Sequence, residues 1–331
     1  MNNIRFEKFT EKHIDAAIEL ILKELAAEKK TCPALPEEEL QDRLRGLLNW
    51  LSGLNFGTAA LEGDKLVGYI LFIGPIDGFH SSHKGVFSPL GGSAFDPEHP
   101  HRVKLASLLL AEALKEPADK GCYSIAFTRY AHDDEIGRLL SLRGFGIRCC
   151  DAVQEADKLI SANYAENLRF TELPRERFRE VRPLQEGLNR HLALSPVFFA
   201  VNWKNFGNWF HAWINREDMR IFAAFDASRI VGFISVEDDC GENYITPHEK
   251  MKSICGAYFC DEYRGKNAAA GLLAYMAEKL KAEDITHLGV DCESMNPTAM
   301  GFWGKYFTPY TYSYHRILDD RVAEDLKLLK A

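Results

Sequence analysis

The chain repeats itself. IRFEKF from Ile4 lines up with LRFTEL from Leu168, and KLVGYILF from Lys65 lines up with RIVGFISV from Arg229 at the same displacement. With small gaps, LASLLLAEAL from Leu105 falls opposite AAGLLAYMAEKL from Ala269, and YSIAFT from Tyr123 falls opposite HLGVDC from His287. Such self-similarity requires each half to be a copy of one structural plan. The 331 residues leave room for two domains, and 46% hydrophobic content suffices to give each a core. Domains are therefore expected at 1–158 and 159–331, joined through the polar segment Asp157–Asn167.

Each half reads as strand, one or two helices, hairpin, long strand, helix, strand, helix and further strands, an α/β plan with a mixed sheet. Ile14, Ile18, Ile21 and Leu25 keep a helical period after Thr10, a suitable N-cap, and Leu40, Leu44, Leu47, Leu48 and Leu51 give a second helix. Gly63-Asp64 and Asp226–Ser228 supply the hairpin turns.

Charge and composition exclude several functions. A net charge of −8 without long like-charge runs argues against a nucleic-acid surface and favours cationic substrates. No apolar run is long enough to span a bilayer, and MNNIRFEKFTEKH lacks a signal-peptide layout, so a cytoplasmic protein without a membrane partner is expected. Of eight cysteines, Cys122, Cys255, Cys260 and Cys292 fall in predicted strands as small hydrophobes, and Cys149-Cys150 reads as packing. His80, His83, His99 and His101 bracket the Gly91-Gly92 loop without cysteine or carboxylate at ligand spacing; they read as solvated loop residues, and no metal is expected.

Function is concentrated in ICGAYFCDEYRGKNAAAGLLAYMAEKL, from Ile254. A buried strand leads through Arg264-Gly265-Lys266-Asn267 into a helix with Leu272, Leu273, Met276 and Leu280 on one face. The first four N–H groups of a helix lack intrahelical partners and sit at the positive end of its dipole, which suits a phosphate. Ala268-Ala269-Ala270-Gly271 lets a bulky ligand approach the backbone. Neither a P-loop nor the Gly-x-Gly-x-x-Gly pattern of dinucleotide folds is present.

The order of strand, acidic turn, Tyr-Arg-Gly-Lys, small-residue helix, strand Leu288–Cys292, and Asn296 opening another helix resembles the GNAT superfamily of acyl-CoA-dependent N-acyltransferases. The resemblance covers both halves, so two tandem GNAT-like domains are implied. It places the pyrophosphate-binding Arg/Gln-x-x-Gly-x-Gly/Ala turn on Arg264, Asn267 and Ala269, with asparagine where the family has its central glycine. Asparagine tolerates left-handed backbone best among non-glycine residues. The implied acetyl-CoA site then comprises Gly265, Lys266 and Ala268 within the same turn, Tyr258 and Phe259 along the pantetheine arm, and Asn296. In the first half, Pro100–Ala106 stands at the corresponding place with Val103 and Leu105 and no glycine, leaving Arg102 and Lys104 as the phosphate-binding charges. A scaffold role is expected there.

An amine with a pKa of about 10.4 must lose its proton before attack, which costs roughly 4–5 kcal/mol at pH 7. A base is therefore sought, and Asp291 and Glu293 share one strand face near the implied cofactor path. Backbone N–H groups at the end of the strand Ala257–Cys260 are the implied oxyanion donors. Many family members have a tyrosine where this chain has Trp303, and tryptophan cannot act as an acid. Either Tyr306 or a tyrosine of Tyr310–Tyr314 takes that role, or the CoA thiolate leaves without an acid. The segment from Ser195, rich in Phe198, Phe199, Trp203, Phe206, Trp209, Phe210 and Trp213, reads as core or as an acceptor wall. The expected activity is acetyl transfer to a primary amine of a small molecule or peptide by the C-terminal half. The alternative is a non-catalytic acyl-CoA sensor, and the oligomeric state is open between monomer and homodimer.

Overall fold

The computed structural model describes residues 4–36, 40–54, 56–160, 167–238 and 248–330. Within them, residues 4–150 and 310–330 form one compact unit, and 151–238 and 248–309 another. Residues 161–166 of the expected linker lie outside the described residues.

The first unit opens with β1 (Ile4–Lys8), α1 (Ile14–Thr31) and α2 (Gln41–Ser52). The apolar stripes do what their period requires: Ile14, Ile18, Ile21 and Leu25 are buried on α1, and Leu44, Leu47, Leu48 and Leu51 on α2. A short 3₁₀ turn separates Thr10 from α1, and the Thr10 N–H donates to His13 Nδ1 at 3.0 Å. β2 (Phe56–Glu62) and β3 (Lys65–Ile76) make the hairpin, with Gly63 supplying the positive φ of 62°. Then come β4 (Lys84–Ser88), β5 (Ser93–Phe95), α3 (Arg102–Ala113), α4 (Lys115–Asp119), β6 (Cys122–Tyr130) and α5 (Asp134–Leu142). β1 to β4 pair antiparallel in order, β5 pairs with β3, and β4 pairs with β6 in parallel. Ile70, Phe72, Leu105, Leu109 and Phe127 centre the core.

β7 (Gly146–Glu155) and α6 (Ala156–Leu159) lead into the second half: β8 (Arg169–Glu172), α7 (Arg182–Ala193), α8 (Phe206–Ile214), β9 (Arg220–Asp226) and β10 (Arg229–Glu237). β11 (Met251–Phe259), α9 (Ala268–Lys281), β12 (His287–Glu293) and α10 (Pro297–Trp303) follow. β8, β9, β10 and β11 pair antiparallel, and β12 lies parallel to β11. Leu272, Leu273, Met276 and Leu280 of α9 are buried with Phe222, Ile234 and Leu288. Both halves thus place a strand, two helices, a hairpin, a third strand and a crossover helix in the same order, as the repeat requires.

The last strand, β13 (Thr308–Ile317), pairs antiparallel with β6 in the first unit, from Thr311 opposite Tyr130 to Ile317 opposite Ser124; α11 (Val322–Lys330) ends the described chain. A strand beside β6 removes an open edge. Tyr314 locks it, buried in the first core against Gly137, where a Cβ would stand 2.5 Å from its hydroxyl. Among the described residues, no helix is long and apolar enough to cross a membrane.

Candidate functional site

The site begins with a fault in strand pairing. Ser235 of β10 faces Gly256 while Val236 faces Ile254, so Cys255 is an extra residue and β11 bulges there. β11 and β12 pair over Met251–Ile254 and His287–Val290, short of the β11 end. The Cys260 N–H donates to Val231 O on β10 at 2.9 Å. Strand alternation therefore turns the N–H groups of Phe259 and Ala257 to the opposite side.

Past Cys260 the chain makes a turn around Arg264. Its Nε donates to Phe259 O at 3.0 Å, its Nη1 lies 2.9 Å from Asp261 Oδ1, and the guanidinium stands 4.9 Å from the Tyr258 ring centre. Gly265, with φ 71°, and Asn267, with φ 60° and ψ 6°, both hold left-handed backbone. This reversal aims the chain into α9, whose ladder starts with Gly271 N–H donating to Asn267 O at 2.8 Å. The N–H groups of Ala268, Ala269 and Ala270 precede that bond and have no carbonyl within the helix to meet.

These residues line a cleft of about 500 Å³ that includes Ala257, Tyr258, Phe259, Arg264, Gly265, Asn267 and Ala268–Ala270, together with Leu188 and His191 of α7, Asn296, Thr298, Trp303, Lys305 and Tyr306. Asn296 is buried and caps α10: its Oδ1 accepts from Ala299 N–H at 3.3 Å and from Thr298 Oγ1 at 2.6 Å. His191 Nε2 lies 3.2 Å from both Asn296 Oδ1 and Thr298 Oγ1.

Of the residues singled out in the sequence, Tyr258, Arg264, Gly265, Asn267, Ala268, Ala269, Asn296 and Tyr306 share this cleft. Phe259 also lines the cleft, and its ring is packed against Gly232, whose added Cβ would stand 2.2 Å from it. Lys266 is exposed on the turn and is not part of the lining. Asp291, exposed, and Glu293, half-buried, stand on β12 and are not part of it either. Trp303 is buried in the core beside Phe307, and Tyr310–Tyr314 belong to the first unit. Among the described lining residues there is no carboxylate.

The aromatic segment divides. Phe206 and Phe210 are buried with Leu184 and Ile221, while Trp203 and Trp209 are each 44% exposed. Among the described residues, no group of three or more His, Cys, Asp or Glu is placed to hold a metal. His99 departs from the solvated reading: it is 9% exposed, and its Nδ1 accepts from the His101 N–H at 3.1 Å.

At the equivalent place in the first unit, Arg102 opens α3 but is already taken. It donates to Asp133 through Nη1 at 2.6 Å and Nη2 at 2.7 Å, and to Glu24 at 3.2 Å. Arg129, 1% exposed, bonds Glu24 at 2.7 Å and Asp133 at 2.9 Å. Burial pushes the Asp133 carboxyl up, but the Arg102 hydrogen bonds and the two guanidinium charges outweigh it and hold it at about 2. Asp133 precedes α5 as Asn296 precedes α10. An internal carboxylate thus sits against the first-unit arginine.

The acetyltransferase (GNAT) family profile matches residues 188–307. No curated protein matches the chain. Among solved structures, the chain is similar to a GCN5-related N-acetyltransferase from Sphaerobacter thermophilus, at 11% identity and a TM-score of 0.58, with 96% of each chain covered. It is also similar to the GCN5-related glucosamine N-acetyltransferase region of a fungal multi-domain GH3 β-N-acetylglucosaminidase, at 13% identity and a TM-score of 0.55, covering 95% of this chain and 38% of that one. At these identities the likeness is one of fold.

Proposed function

We propose that this chain, which belongs to the GNAT superfamily, transfers an acetyl group from acetyl-CoA to a primary amine of a small molecule or peptide, and that residues 151–309 carry the site. The observation behind this reading is the left-handed turn through Gly265 and Asn267, which delivers Arg264 and the bare N-terminus of α9 to the lip of a cleft. Acetyl-CoA, as substrate, supplies an activated thioester and a pyrophosphate handle.

The residues present fit that molecule. Arg264 and the N–H groups of Ala268–Ala270 hold the pyrophosphate, and the alanines leave room for it. Asp261 competes for Arg264 from an exposed position, where an ion pair is worth about 1 kcal/mol or less, so a doubly charged ligand displaces it. The Ala257 and Phe259 N–H groups face the open side of β11 and are the donors for charge on the thioester oxygen. Asn296 and Tyr258 border the arm, and Tyr306, one of the tyrosines of the lining, is the proposed donor of a proton to the departing sulfur. Lys266 adds positive charge outside the cleft. Asp291 and Glu293, read from the sequence as candidate bases, stand outside the lining, and in this reading their charge attracts the cationic amine.

Calorimetric titration with acetyl-CoA and desulfo-CoA tests this. Micromolar binding that the Arg264→Ala, Gly265→Glu double variant loses is expected; equal affinity in that variant overturns the site. The second reading, an acyl-CoA-binding sensor, is favoured by the buried Trp303 where family members commonly place a tyrosine. Thioester turnover with any primary amine decides against it.

A further inference from the structure

We infer that His191 is the proton acceptor of the acetyl-transfer reaction, and that Asn296 fixes which of its ring nitrogens does the work. The inference rests on the acyl-transfer reading above.

The tautomer follows from hydrogen-bond direction alone. Asn296 caps α10 by accepting the Ala299 N–H, so the atom facing that N–H is the amide oxygen, which has no hydrogen to give. That oxygen also accepts the Thr298 hydroxyl proton at 2.6 Å. His191 Nε2, 3.2 Å from the same oxygen and 3.2 Å from Thr298 Oγ1, must therefore be the donor. In the neutral ring the hydrogen is on Nε2 and the lone pair on Nδ1. A helix cap thus selects Nδ1 as the basic atom.

Elimination leads to the same residue. The cleft lining contains no aspartate or glutamate among its described residues. Its titratable and charged groups are Tyr258 of β11, Tyr263 and Arg264 of the turn, Lys305 and Tyr306 after α10, and His191 of α7. Arg190, beside His191 on α7, stands 5.5 Å from the Trp203 ring. Histidine is the one side chain of this set that ordinarily changes charge between pH 5 and 8.

In the step, an ammonium proton of the acceptor passes to Nδ1 and the ring becomes imidazolium. The freed lone pair attacks the thioester carbonyl carbon; the C–N bond forms and the C–S bond breaks. Tyr306 gives its hydroxyl proton to the departing sulfur and is restored by the proton still held on nitrogen. His191 returns its proton to solvent.

Two readouts test this. Nitrogen-15 NMR of the imidazoles in the unliganded protein, with the His191 signal identified by its loss in His191→Gln, should show Nε2 protonated and Nδ1 bare in the neutral ring. The opposite tautomer overturns the assignment. Glutamine keeps an N–H for Asn296 but has no basic nitrogen. The variant should bind acetyl-CoA within twofold of wild type, while kcat at pH 7 with whichever of ethylamine, lysine or spermidine is acetylated falls roughly 10²–10⁴-fold. That deficit should shrink as pH rises and the free amine becomes abundant. Unchanged kcat, or an equal loss at every pH, overturns the assignment alone. A wild type that binds no acetyl-CoA, or acetylates none of the three amines, overturns the acyl-transfer reading and this inference with it.

Discussion

Asn267 carries the strain of the turn. It holds φ 60° with a Cβ, in a region that disfavours side chains and that asparagine occupies at lower cost than most. Asn267→Gly should therefore raise stability by a few tenths of a kcal/mol or leave it unchanged, and Asn267→Ala should cost about 1 kcal/mol. Urea unfolding midpoints check both, and equal midpoints for the two variants would count against a strained turn. At this scale the sequence was informative where a motif fixes spacing and silent where a single side chain meets a distant one. Arg264 through Ala269 could be read along the chain. His191 could not: the histidine is isolated near the end of α7, and its partners come from α10, 105 positions away for Asn296. Asp291 and Glu293 drew notice by alternation on β12, but alternation shows that two side chains share a face without saying which face meets the cleft.

Helices and hairpins followed their periods because local patterns fix them, as the buried stripes of α1 and α2 show. The pairing of β13 with β6 is of another kind, since nothing in either strand's composition names its partner. That pair also carries a pH response. His315 Nε2 lies 2.7 Å from Ser124 Oγ, which gives its own proton to Phe79 O at 2.5 Å. The ring therefore donates, and burial, helped by the Arg148 charge, pulls its pKa down to about 4. An unfolded chain takes up this proton near pH 6.5, whereas the folded one waits until about 4. The unfolded state holds more protons in that window, so this contribution to stability is complete above pH 6.5 and is lost as pH falls towards 4. Denaturant midpoints from pH 7 to 4 should fall less steeply in His315→Gln than in wild type. Parallel slopes would refute the coupling.

At the scale of the whole molecule, two copies of one plan have met the same requirement in opposite ways. The arginine at the approach to the crossover helix is 36% exposed as Arg264, in the turn before α9, but 12% exposed as Arg102, the first residue of α3, and the residue before the following helix is the neutral Asn296 in one and the ionised Asp133 in the other. A buried guanidinium must be paired, and Arg102 and Arg129 share Asp133 and Glu24 between them. An incoming pyrophosphate would have to expel carboxylates from two buried arginines, an exchange that returns little. Acetyl-CoA should therefore bind at one equivalent per chain, and the stoichiometry of the calorimetric titration reads this directly; two equivalents of similar affinity would contradict it. The same network predicts what happens when it is broken. Asp133→Asn leaves the two guanidinium charges with Glu24 as their buried carboxylate, beside the exposed Glu135 at 3.9 Å from Arg102, and should destabilise the first unit by about 3–5 kcal/mol in denaturant unfolding. Because the turn at Arg264 contains none of these groups, the variant should still bind acetyl-CoA with wild-type affinity under conditions where it remains folded. Loss of that affinity with the fold intact would mean that the first half takes part in binding.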